Sequence, residues 1–123
     1  MEMKLELVPL PVADVERGKS FYLDVMGFTL DHDVRPGDGM RVVQLTTPGS
    51  ACSIVVGAGI GTGDPADGTV KGLHLVVQDI AVVREHLVDR GADVSGIVDM
   101  GGVQFAYLAD PDGNSWALQQ LAP

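Results

Sequence analysis

The sequence predicts an α+β fold made of two duplicated βαβββ modules, and three observations predict it. First, Leu10-Pro11-Val12-Ala13-Asp14-Val15 matches Leu75-Val76-Val77-Gln78-Asp79-Ile80 at an offset of 65 residues, the mark of a repeated structural unit. Second, each matching segment is an apolar run that ends in Asp, a residue whose carboxylate accepts from the free N–H groups of a helix's first turn. Third, three short strand-like runs follow each predicted helix.

The elements follow in order. After Asp14, Val15, Gly18, Tyr22 and Val25 fall on one helical face, with Glu16, Arg17, Lys19 and Asp24 mostly off it, and Gly27 stops the helix. Strands are then predicted over Phe28–Val34, Met40–Leu45 and Cys52–Gly57. In the second half, Ile80, Val83 and Leu87 form the apolar stripe and Gly91 the stop, followed by strands over Ala92–Val98, Val103–Leu108 and Ser115–Gln120. The last hairpins also repeat: Leu45-Thr46-Thr47-Pro48-Gly49 matches Leu108-Ala109-Asp110-Pro111-Asp112 at an offset of 63, and Asp110-Pro111-Asp112-Gly113-Asn114 is a strong turn signal. Between the halves, Gly57 to Gly72 holds six glycines with Asp64-Pro65, and reads either as a flexible connector or as a lid over a pocket. The chain is thus read as a single domain over 1–123, with module one at 1–58, the connector at 57–72 and module two at 70–123.

Composition excludes several functions. Seventeen acidic against 8 basic residues give a formal net charge of −9, whereas nucleic acid binding needs a Lys/Arg-rich face. The charge either favours cationic ligands through steering or only keeps the domain soluble. No apolar run approaches the roughly 18 residues of a membrane span, and the opening Met1 to Val8 lacks the basic start and long apolar stretch of a signal peptide, so no membrane role and a cytoplasmic location are expected. Cys52 is the only cysteine, which rules out an internal disulfide or a Cys-x-x-Cys site; a small core residue is its expected role. No nucleophile elbow or phosphate loop occurs, and the glycines from Gly57 to Gly63 lack nucleotide-binding spacing.

A strand ending in Val-x-Asp, a helix carrying Phe21-Tyr22 before Gly27-Phe28, and the turn Asp110 to Asn114 before the last strand resemble the vicinal oxygen chelate superfamily of glyoxalases, bleomycin resistance proteins and extradiol dioxygenases. The resemblance covers nearly the whole chain in both halves, and implies a cup-shaped mixed sheet to which each module contributes. It also implies metal ligands on the first and last strands of each half in the metal-dependent members. Mapped onto this sequence, those positions fall on Leu7 and Gly72, on Ala117, and on Ile54, or Val55 if the register slips by one. None of these side chains can coordinate. His74 and Gln119 lie two residues from mapped positions and keep their parity, but their first-half counterparts are Pro9 and Val56. At most two protein ligands remain where a catalytic divalent metal takes about three. No cofactor is therefore expected, with a divalent metal as the less favoured alternative.

His74 is expected to point into the cup, as a general base, as a hydrogen-bonding partner for a ligand, or as a core or rim histidine bonded to a neighbouring strand. With Gln119 it forms a polar patch on an apolar floor of Leu5, Leu7, Pro9, Ile54 and Val76, a lining that suits a small organic ligand. Phe105 and Tyr107 share one strand face and either stack on a planar ligand or pack in the core. Trp116, of opposite parity to Ala117, is expected beneath a helix. Arg41, opposite Gln104 in the repeat, either anchors an acidic group or forms a surface salt bridge. His32, between Asp31 and Asp33, reads as a solvated strand end, and His86 as surface.

The expected function is metal-independent binding of an aromatic or cationic natural product or antibiotic, as in bleomycin-resistance-type proteins. The partners expected are a small hydrophobic or aromatic ligand and, by the resemblance, a second copy of the chain in a homodimer. The rival reading is an enzyme on the same scaffold. It would be glyoxalase-like or dioxygenase-like with an atypical metal site, or a metal-free isomerase, lyase or cyclase using His74 as base.

Overall fold

In the computed structural model, which describes residues 1–121, both predicted helix caps form. Asp14 accepts from the Arg17 amide at 3.1 Å, and Asp79 from the Val82 amide at 3.2 Å. Each carboxylate satisfies a donor that the first turn leaves without a backbone partner. The helices so begun are α1 (Val15–Ser20) and α2 (Ile80–Asp89). The first is shorter than its sequence stripe, because at Phe21–Val25 the chain widens into a π-helical turn closed by Met26 N to Phe21 O at 2.9 Å. In this turn Tyr22 is completely buried, with its ring stacked on Phe28 at 5.6 Å. Gly18 lets α1 lie close to the preceding strand, since a Cβ there would sit 3.2 Å from Val12 Cγ1.

The chain forms two compact units, one spanning Met1–Thr69 and one beginning at Val70. The first unit contains β1 (Leu7–Pro9), β2 (Thr29–Val34), β3 (Arg41–Thr46) and β4 (Ser53–Ala58), in the sheet order β1-β4-β3-β2. The second contains β5 (Leu73–Val76), β6 (Val98–Met100), β7 (Val103–Ala109) and β8 (Ser115–Gln120), in the order β5-β8-β7-β6. In both sheets the first strand runs parallel to the last and the other pairs are antiparallel. The duplicated α+β reading thus holds in the order and direction of the strands.

The strand expected over Ala92–Val98 is displaced, beginning only at Val98. Ser95 still pairs with Tyr107, donating its N–H to the Tyr107 carbonyl at 2.8 Å, but it returns the bond through its hydroxyl rather than its carbonyl. The Ser95 carbonyl is taken by Arg84 Nε at 2.6 Å, and the Val94 carbonyl by Arg84 Nη2 at 3.1 Å. A regular ladder cannot form where a helix side chain holds the carbonyls.

In each unit the helix packs on one sheet face, and alternation sends the apolar side chains there. In the first unit this face carries the row Val8, Ile54, Leu45 and Leu30, then Val56 and Val43. In the second it carries Leu73, Trp116 and Leu108, then Leu75, Leu118 and Ala106, covered by Ile80 and Leu87 of α2. The predicted turn is a buried polar hub. Asp110 accepts from the Asp112 and Asn114 amides at 2.9 and 3.0 Å and from Asn114 Nδ2 at 2.8 Å, while Asn114 Oδ1 accepts from Val70 N at 3.0 Å. No helix among the described residues is long and apolar enough to cross a membrane.

Candidate functional site

The faces turned away from the helices hold the candidate functional residues. In the second unit, one row across the sheet is His74, Ala117 and Tyr107, and the next is Val76, Gln119, Phe105 and Val98. Ala117, which pairs with both His74 and Tyr107, is buried between them. Phe105 and Tyr107, two residues apart on β7, hold their rings 6.3 Å apart and within 5° of parallel, and His74 meets Phe105 edge-on at 6.1 Å. Tyr107 is 45% exposed and Val76 66%, so this aromatic and apolar surface is open rather than packed as core. Such a surface offers planar ligands a stacking platform.

His74 is held in one tautomer. Its Nδ1 lies 2.7 Å from the Gly72 carbonyl, which can only accept, so Nδ1 carries the proton and the neutral ring leaves Nε2 as an acceptor. Predicted residues His74, Phe105, Tyr107 and Gln119 are therefore brought together on one face, and Trp116 lies beneath the helix as expected.

The first unit corrects part of the predicted site. Leu7 pairs with Ser53 and Pro9 with Val55, so these four share the helix-free face. Ile54 pairs with Val8 and Leu45 and packs on the opposite, helix-covered face, because the register is the slipped one. Leu5 precedes β1 and is 70% exposed, so it is not part of a floor. Arg41 is also on the helix side. Its Nε and Nη2 grip both oxygens of Asp33 at 2.9 Å, its Nη1 pairs with Glu16 of α1, and Lys19 reaches Asp33 at 2.7 Å. These bonds hold the Asp33 carboxyl far below the usual carboxylate range, through the hydrogen bond from Arg41 first and that from Lys19 second. With its guanidinium committed, Arg41 is a structural residue of this unit and not a ligand anchor.

Sequence reasoning missed a polar track on the helix-free face. Gln44 Nε2 donates to Ser53 Oγ at 3.2 Å, Ser53 Oγ lies 2.6 Å from Thr46 Oγ1, and Thr46 Oγ1 bonds to Asp31. Asp31 reaches this face because the β2–β3 register shifts between Leu30 and His32, a β-bulge. His32 pairs across from Gln44 and is exposed, while His86 lies exposed on α2. Cys52 stands half-buried before β4, with Sγ 3.6 Å from the Ser53 carbonyl.

The registers also settle the repeat in the last strands: Val55 corresponds to Ala117 and Gly57 to Gln119, at an offset of 62 rather than 63. The positions at which metal-dependent relatives would place ligands thus carry Leu7, Val55, Gly72 and Ala117. Among the described residues, no three His, Cys, Asp or Glu side chains gather where they could hold a metal ion. None of Leu7, Val55, Gly72 and Ala117 offers a metal-coordinating side chain.

The connector packs against its own unit. Ile60 fills the space that a side chain at Gly57 would occupy, and Asp64 caps a 3-10 turn at Pro65–Asp67 by accepting from Ala66 N at 2.9 Å. With Val12, Ala13 and Val15 it bounds a cleft of about 360 Å³, which none of the predicted ligand residues line. Backbone and small side chains dominate that cleft, so we place the candidate site on the sheet faces.

Comparison with known proteins supplies the family. The model of the glyoxalase/bleomycin resistance protein/dioxygenase superfamily matches residues 4–118. Among solved structures, TnmS3, an antibiotic binding protein from Streptomyces sp. CB03234, is 30% identical, with 98% of each chain covered and a TM-score of 0.83. A glyoxalase/bleomycin resistance protein from the same organism is 32% identical, with 95% of this chain and 100% of the other covered and a TM-score of 0.79. A superfamily member from Sphaerobacter thermophilus DSM 20745 shares the fold at 23% identity, with 97% and 98% covered and a TM-score of 0.79. No curated protein matches the chain. With its duplicated βαβββ topology and a family match over nearly its whole length, this chain belongs to the glyoxalase/bleomycin resistance protein/dioxygenase superfamily.

Proposed function

We propose that the protein is a metal-independent binder that sequesters a small aromatic or cationic natural product or antibiotic, acting as a cytoplasmic homodimer. The observation that carries this reading is the open surface of parallel Phe105 and Tyr107 rings, with His74 and Gln119 beside them. It combines stacking area with a few fixed polar groups, the usual make-up of a small-molecule site. The antibiotic-binding relative supports the ligand class, and the donor-poor positions Leu7, Val55, Gly72 and Ala117 support independence from metal. The net charge of −9 favours cationic over anionic ligands.

The test is to titrate Trp116 fluorescence with a panel of aromatic antibiotics and flavins, with and without a chelator. Saturable quenching unaffected by chelator is expected, and it should weaken about tenfold or more in Tyr107→Ala. Stoichiometric, tightly held Zn, Ni, Mn or Fe in the purified protein would sink the metal-free reading. Sedimentation of the protein at the monomer mass would do the same for the homodimer.

One observation favours the rival enzyme. The fixed tautomer of His74 leaves Nε2 as a basic nitrogen at the open face, where it could take a proton from a ligand. Turnover that disappears in His74→Ala while binding persists would replace the binder with an enzyme.

A further inference from the structure

We infer that Gln44 is a specificity-determining residue, which presents a hydrogen-bond acceptor on the helix-free face of the first unit and selects ligands carrying a donor there, a hydroxyl or an amine. The inference rests on the binding function proposed above. Its basis is the direction of the polar track. A carboxylate only accepts, so the Thr46 hydroxyl donates to Asp31. Thr46 has no second hydrogen, so Ser53 must donate to Thr46. Ser53 has then spent its own hydrogen and must accept from Gln44, which fixes the amide nitrogen inward. Flipping the amide would set two acceptors against each other at Ser53, which is only 4% exposed. The carbonyl Oε1 is thereby turned outward, and among the described residues it receives no hydrogen bond.

A second observation comes from the repeat. Gln44 pairs with Val55 as Tyr107 pairs with Ala117, and Val55 and Ala117 are equivalent, so Gln44 occupies the position of Tyr107 in the other half. It therefore stands where the second unit displays its most exposed aromatic ring of the open surface. No Lys or Arg shares this face of β1 to β4, since Arg41 turns to the other. A ligand carboxylate finds there the acceptors of the track, the second N–H of the Gln44 amide and the imidazole of His32, but no cationic Lys or Arg side chain.

Binding of 2-naphthol, 2-methoxynaphthalene and 2-naphthoate to the full chain, followed by calorimetry, tests this. Wild type should prefer 2-naphthol to its methyl ether by roughly threefold to tenfold, the value of one net hydrogen bond, and should bind 2-naphthoate most weakly. Gln44→Met should bring the first two affinities together by weakening only 2-naphthol. Gln44→Asn, which withdraws the amide by one methylene, serves the same comparison if the methionine variant does not fold. An unchanged preference, or an equal loss for both neutral probes, overturns the role of Gln44 while leaving the binder reading in place. Failure of the wild type to bind any of the three overturns both.

Discussion

Asp31 and Asp33 are two residues apart on β2, yet their carboxylates serve opposite faces. Strict alternation would place them together; the bulge between Leu30 and His32 sends Asp31 to Thr46 and Asp33 to Arg41. The Asp33 cluster is mostly shielded, with side-chain exposures of 10% for Arg41 and 22% for Asp33, and its Arg–carboxylate contact is bidentate. Asp33→Asn should therefore cost about 1–2 kcal/mol, measurable by urea unfolding. The sign of the pH dependence follows from the lowered pKa. The ionised group's contribution is complete above the ordinary aspartate value of 3.8 and is lost as pH falls below it. The difference in stability between wild type and Asp33→Asn should thus be constant near neutral pH and shrink as the solution is acidified from about pH 4 downward. A difference that grows on acidification would contradict the assigned geometry.

At the scale of elements, two short segments carry more than their length suggests. A Cβ at Gly57 would lie 2.1 Å from the Arg41 carbonyl oxygen and 2.5 Å from Ile60 Cδ1. Only glycine lets β4 approach β3 there while the connector folds back over it. Gly57→Ala should destabilise by about 1–3 kcal/mol, the cost of overpacking, and should do so more than Gly61→Ala, where no atom lies within 4 Å of the added carbon. The latter change still meets strain from a φ of +77°, so any further loss at Gly57 is steric. The Asp110–Asn114 turn is the other segment. Asn114 is completely buried and bonds both Asp110 and the Val70 amide, so Asn114→Ala leaves several buried groups unsatisfied. A loss of about 2–4 kcal/mol is expected, read as a lowered midpoint of thermal or urea unfolding.

At the scale of the molecule, the charge of −9 makes a kinetic prediction. A cationic aromatic dye such as proflavine should associate more slowly as ionic strength rises, because screening shortens the reach of the acidic surface to roughly 10 Å at 0.1 M salt. A neutral flavin of similar size should show little change in stopped-flow quenching. Equal salt dependence for the two would assign the charge to solubility alone.

Much of the fold was legible because its signals are local. Asp14 and Asp79 mark the helix starts, Ile80 and Leu87 the stripe, Asp110 to Asn114 the last turn, and the offset between halves needs no tertiary information. The second half of the candidate site was legible for the same reason: His74, Phe105, Tyr107 and Gln119 lie on strands whose alternation is unbroken. The first half was not. Which face Ile54 takes depends on the pairing of Leu7 with Ser53, a relation across 46 residues that no local pattern specifies. The faces of Asp31, Asp33 and Arg41 depend on a bulge that a short polar run does not announce. Gln44 could have been found by carrying the offset of 63 from Tyr107, the same step that relates Arg41 to Gln104. By itself the sequence determined the repeated topology, the helix caps and the scarcity of metal donors, since these follow from residue identity and spacing. Tertiary structure alone decided strand register, the bulge and the direction of the hydrogen-bonded track, because each is fixed by pairing between strands distant in the chain.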